Sequence, residues 1–196
     1  SPMSRGLGDV YKRQEYTRVM NKLDELDQQV AQFTQPPVHE WQPKTVGEID
    51  IRIDAQGVWY HEGGVIARPR LVRLFASILW HEAPQYFLVT PVEKLAIDVD
   101  DVPFLVQQVL FEGDAWTVET NTGDRCQVGV DHPVELSQFQ GAWIPYVRIR
   151  YDLWARLSRA CYQHWVEAAV RQIGDDYRDG DILSLSSQGI EFPVAK

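Results

Sequence analysis

Ile49-Asp50-Ile51-Arg52-Ile53, then Asp54-Ala55-Gln56-Gly57, then Val58-Trp59-Tyr60-His61-Glu62, is the passage on which the fold turns. Apolar and charged residues alternate through 49–53, the period of a strand with one buried face. Ala55-Gln56-Gly57 is a turn signal, so 58–62 should return as an antiparallel partner. Gly63-Gly64 repeats the device and sends the chain into Val65-Ile66-Ala67. Pro69 suits the first position of a helix, where its missing N–H costs nothing. Leu71, Leu74, Phe75, Ile78 and Leu79 follow at helical spacing and predict a helix covering the sheet.

The same rules carry outward. Strands are expected at 86–90, 95–99, 104–111 and 144–150, and a hairpin joins 116–120 to 125–130 through Asn121-Thr122-Gly123-Asp124. Asp152 offers a cap for a long helix running to about Gln172. Its buried stripe would be Leu153, Leu157, Ala160, Cys161, His164, Trp165 and Ala168, with His164 in the core. Residues 174–181 read as an acidic loop, and 182–185 with 190–194 as a closing hairpin turning at Gln188-Gly189. Towards the N-terminus, Val19, Leu23, Leu26, Val30 and Phe33 predict an amphipathic helix over 15–33. Pro36-Pro37 ends it, and 34–47 read as an extended linker. A weak repeat relates Gly57-Val58-Trp59 and the helix bearing Arg73-Leu74 to Gly141-Ala142-Trp143 and a helix bearing Arg156-Leu157.

A chain of 196 residues with 44% hydrophobic content is enough for one large domain or two that share a core. The formal charge of −9 argues against a nucleic-acid polymer as partner, because neutralising phosphates needs a basic face. No apolar run reaches the ~20 residues of a membrane helix, and no secretory signal pattern opens the chain. Cys126 and Cys161 lack metal-ligand spacing and read as free thiols, which makes the cytoplasm the expected compartment. The cations are unevenly placed. Arg68, Arg70, Arg73 and Lys94 share one segment, Arg148, Arg150, Arg156 and Arg159 another, and only Arg125 lies between Lys94 and Arg148. Were the two segments to meet, an acidic protein would hold one cationic pocket suited to a small anion.

Two resemblances add to this. Residues 4–14 resemble the translation of a transposon-based sequencing adapter, so 1–14 are set aside as an artefactual or disordered tail. Residues 48–194 resemble the bacterial domain of unknown function 1285 family. The blocks that carry the likeness include Ile66-Ala67-Arg68-Pro69-Arg70-Leu71, Tyr86-Phe87-Leu88-Val89-Thr90-Pro91-Val92-Glu93-Lys94 and Pro145-Tyr146-Val147-Arg148-Ile149-Arg150. The resemblance implies an α+β fold with a duplicated core, the C-terminal half loosely pleckstrin-homology-like. It also implies a nucleotide-like ligand between the halves, in regulation or signal transduction. The chain departs at Leu185-Ser186-Ser187-Gln188-Gly189, where the family has a Trp-Ser-Gly-Gly type of turn.

The expected organisation is therefore a tail (1–14), an amphipathic helix and Pro-containing linker (15–47), an N-terminal α+β half (48–101) and a β-rich C-terminal half with a long helix (102–196). The candidate ligand contacts are Arg68, Thr90, Glu93, Lys94, Arg148 and Arg150, with Trp59 and Tyr146 as stacking rings and Asn121 as an amide reader. Arg presents a planar fork to phosphate and Lys a point charge. Glu93 and Lys94 should point to opposite faces of a strand, and Lys94 is the favoured contact. The alternative for the cations is pairing with Glu93, Asp98 or Asp152; for the aromatics it is the core; for Asn121 it is turn geometry.

No metal and no cofactor are expected. The five histidines are scattered, and fitting Gly180 to a calcium loop puts Tyr177 at a ligand position and Ser186 where a glutamate belongs. No nucleophile elbow or phosphate-binding Gly loop is present, so no catalytic residue is assigned. The partner expected first is a small anion; a second reading is a scaffold in which residues 15–33 pair with another copy or another protein. An enzyme using Glu93 and Lys94 is the weakest alternative.

Overall fold

A computed structural model describes residues 22–196. The tail reading of 1–14 and the helical reading of 15–21, Val19 included, lie outside them. Residues 22–30 form helix α1, whose Leu23, Leu26 and Val30 are buried as the apolar spacing requires. A short 3-10 turn at Val38–Glu40 buries Val38. Strand β1 (Thr45–Ile53) then begins earlier than the alternation at 49–53 suggests. Its first residues are held by parallel pairing, Thr45 opposite Glu93 and Val46 opposite Lys94, not by burial. The expected linker is correspondingly shorter.

The N-terminal half continues as β2 (Trp59–His61), β3 (Gly64–Val65), α2 (Pro69–Ser77), β4 (Leu79–Glu82), β5 (Gln85–Val89) and β6 (Glu93–Val99). The C-terminal half holds β7 (Phe104–Glu112), β8 (Ala115–Thr120), β9 (Arg125–Gln127), β10 (Val134–Phe139), β11 (Ala142–Arg150) and β12 (Leu153–Leu157). Helix α3 (Arg159–Ile173) and the hairpin β13 (Leu183–Ser187) and β14 (Ile190–Ala195) follow. The class is α+β, two strand-rich halves each with a helix.

The duplication is topological. The first sheet runs β3-β2-β1-β6-β5-β4, with β1 and β6 parallel at its centre. The second, read from its other edge, runs β9-β8-β7-β12-β11-β10, with β7 and β12 parallel at its centre. Each half is thus two antiparallel three-stranded meanders whose first and last strands meet. This corrects the repeat expected from Gly57-Val58-Trp59 and Gly141-Ala142-Trp143. The counterpart of β2 in the order is β8, not β11, and Arg156-Leu157 lie on a strand.

Three further expectations change. Helical spacing from Leu71 runs unbroken into Leu79, yet α2 stops at Ser77, whose Oγ donates to Leu74 O at 2.6 Å, and Leu79 opens β4. The long helix does not start after Asp152; residues 153–157 are β12, and the cap is Ser158, whose Oγ accepts the Cys161 N–H. His164 is exposed, turned edge-on to Trp116, and not in the core. Trp165 instead fills that place, between Trp116 and Phe192 of the closing hairpin. One hydrophobic core runs through both halves.

Candidate functional site

The Thr90–Lys94 segment is a turn and the start of a strand, with its polar atoms occupied. The Thr90 hydroxyl accepts the N–H groups of Val92 and Glu93 at 3.2 and 3.1 Å, which closes the β5–β6 connection. Glu93 is buried, and Lys22 of α1 donates to both its carboxylate oxygens at 2.6 and 2.8 Å. Lys94 points to the other face, where it pairs with Glu82 at 2.6 Å and lies over the Phe87 ring. That ammonium beside it lowers the Glu82 carboxyl below its ordinary value. Glu93, not Lys94, is the more enclosed of the two.

Three of the other candidates, Asn121, Tyr146 and Arg150, join the halves. Asn121 accepts the Leu105 N–H at 2.9 Å and donates to Gly57 O at 3.1 Å, bridging the second sheet to the β1–β2 turn. Tyr146 is buried and donates to Asp101 at 2.9 Å; burial and that carboxylate push its phenol well above the ordinary value. Asp101 also takes Arg156 Nε at 2.9 Å, while Arg156 reaches back to Ala55 O and stacks on Phe139. Trp59 is buried against Phe75, with no face left for a ligand to stack on. Arg148 donates to Asp131 O, and Arg68 is exposed at the α2 cap position.

Arg150 does something more. One nitrogen donates to Asp124 and the other to Ala76 O at the end of α2, both at 2.5 Å, with the guanidinium over Phe104. It thereby ties the two halves together and lines a crevice of about 390 Å³. Residues 34–36, Arg73 and Ser77 of α2, and the Thr122–Asp124 turn with Tyr151 also line it. Of the nine expected contacts, Arg150 alone lines this crevice. Lys94 and Arg148 have partners outside it, so the two cationic segments meet there only through Arg73 and Arg150.

Sequence reading passed over Arg73, Tyr151 and Asp124 as site residues. Arg73 carried a signal: it stands one turn after Arg70 on a helix whose buried residues are Leu71, Phe75 and Ala76, so it had to face out. Asp124 did not, because its bond to Arg150 depends on how the turn lies against β11. Chemically the crevice offers two guanidiniums against one carboxylate, the Thr34 hydroxyl and the half-exposed Tyr151 ring, while the Ser77 and Thr122 hydroxyls already donate to Leu74 O and Asp124. The Tyr151 phenol is held to His39 Nδ1 at 2.8 Å and its ring packs on Trp80. Among the described residues no group of three His, Cys, Asp or Glu could hold a metal ion, and no helix is long and apolar enough to cross a membrane.

Two sheets of like order joined across a polar crevice define a duplicated α+β protein. The family models agree: residues 36–102 match the N-terminal domain and 103–194 the C-terminal domain of the domain of unknown function DUF1285, and the chain belongs to this family. A DUF1285 family protein from Silicibacter pomeroyi DSS-3 is similar, with 37% identity, a TM-score of 0.70 and coverage of 83% of this chain and 88% of that one. Another, from Shewanella baltica OS155, is 30% identical with a TM-score of 0.50, covering 60% of this chain and 90% of that one. Among curated proteins nothing matches.

Proposed function

We propose that the protein is a cytoplasmic ligand-binding module that takes a small phosphate-bearing, nucleotide-like anion in the crevice between its halves and serves a regulatory or signalling role. The observation that carries this reading is Arg73. It lines the crevice and holds no carboxylate among the described residues, although the chain has 28 acids for 19 bases. Arg150 supplies the second guanidinium, already oriented by Asp124 and Ala76 O, so little ordering remains to be done on binding. The exposed face of Tyr151 suits a planar group beside the anion. Glu93 and Lys94 stand on opposite faces and are each paired, which does not favour their use as a catalytic couple.

The test is thermal shift of the purified chain with phosphate, pyrophosphate and nucleotides. A ligand at about 100 times its Kd stabilises by about 2.7 kcal/mol, a readily measured rise in Tm. Arg73→Ala is expected to remove the rise and leave the unliganded Tm in place, while Lys94→Ala leaves the rise. No stabilisation by any of these anions refutes the reading.

The scaffold reading has less to support it. The apolar side of α1 (Leu23, Leu26 and Val30) is already buried within the chain, so a partner would meet the polar side.

A further inference from the structure

From Gly63 to His81 the chain contains no Asp or Glu, and within that stretch fall Arg68, Arg70 and Arg73. All three are exposed, at and along α2. Arg70 and Arg73 are three apart and share a helix face. Arg52, Lys94, Arg125, Arg150 and Arg156 each hold a carboxylate. Arg70 and Arg73 hold none among the described residues. Arg70, the second residue of the helix, also works against it, because a cation there meets the positive end of the dipole and the first turn has no acid to offset it. A local rule broken without a compensating contact marks a surface selected for something other than stability. Edge strand β3 ends at Val65, five residues before Arg70 in the chain, and leaves that side chain 59% exposed.

We propose that the outer face of α2 docks an acidic polypeptide segment, with carboxylates on Arg70 and Arg73 and an apolar side chain on Val65. Size selects this occupant over other anions. A duplex or a charged bilayer would extend past the patch onto a surface that is acidic overall, and be repelled there. A short peptide touches only the patch, and charges beyond about 8–10 Å are screened at physiological salt. The interface is electrostatic, so it is fast, salt-sensitive and of moderate affinity.

The probe is a fluorescently labelled Glu- and Asp-rich peptide, titrated with the whole chain and followed by anisotropy at low and physiological salt. Saturable binding is expected, weakening with salt, and Arg70→Glu should lower it about tenfold or more by turning attraction into repulsion. Arg70→Ala should lower it less, and Arg125→Glu, on the edge of the other sheet, should leave it unchanged. The proposal is overturned by absence of binding at low salt, by Arg70→Glu binding as well as the parent, or by duplex DNA or phosphatidylserine vesicles binding more tightly than the peptide. Arg70 does not line the crevice. Failure of the phosphate thermal shift with peptide binding intact would therefore refute the crevice reading and leave this one standing.

Discussion

Gly57→Ala gives the sharpest test of how the halves are joined. Gly57 has φ +76°, a region that costs an L-residue about 1–2 kcal/mol. A Cβ there would lie 2.5 Å from Asn121 Nδ2, so the amide must move. Moving it breaks the bonds to Gly57 O and Leu105 N–H, each worth about 1 kcal/mol. Gly57→Ala should thus cost about 3 kcal/mol, and Asn121→Ala about 2, for the same two bonds. The double substitution has no amide left to displace and should cost about 3 rather than 5. Urea unfolding of the four proteins would read a coupling of about 2 kcal/mol. Additivity within about 0.5 kcal/mol would refute the argument, since unconnected sites add to that precision.

Two other outcomes follow from the same geometry. Asp101→Ala should cost about 3–5 kcal/mol in urea unfolding, because it strands the buried Arg156 guanidinium and removes the Tyr146 acceptor; adding Arg156→Met should recover part of that, and a loss below about 1 kcal/mol would refute the role given to Asp101. Burial first, then Asp124, raises the Cys126 thiol to about 11, so the native thiol keeps its proton at a pH where the unfolded one has lost it. Stability should therefore fall as pH rises from about 9 to 11, and Cys126→Ser should remove part of that fall from the urea-midpoint profile; the buried Cys161 thiol and the Tyr86 and Tyr146 phenols, also raised, supply the rest.

Much of the fold was legible because strands with one wet face leave a period of two, and glycines mark the turns between them. Ile51 and Ile53 are buried and Arg52 exposed, as the alternation requires. Legibility failed where two periods overlap. Leu79 keeps helical step with Leu71 and Phe75 but belongs to a strand, and Leu153 and Leu157 match a helix turn while β12 buries Leu153, Ala155, Arg156 and Leu157. Strand β10 shows little apolar pattern because most of its residues stay in solvent and its place comes from pairing with β11.

The site was harder to read for a different reason. A cation in a sequence does not name its partner, and here the partners are remote: Ala76 for Arg150, Asp101 and Ala55 for Arg156. Arg150 and Asn121, both chosen as ligand contacts, act as ties between the halves, which uses the same donor chemistry that ligand recognition would.

The central parallel seams bear on how the chain is made. Each sheet is completed only by its own last strand, so the first stays split into two meanders until residues 93–99 are available to pair with β1. At that point every strand of the first sheet exists and none of the second does. During synthesis the N-terminal half can therefore mature ahead of its sibling and offer the Gly57 carbonyl as a waiting foothold for the C-terminal half. Damage to a seam strand such as β6 should delay assembly more than equal damage to an outer strand such as β3, since long-range pairing sets the pace of strand-rich proteins.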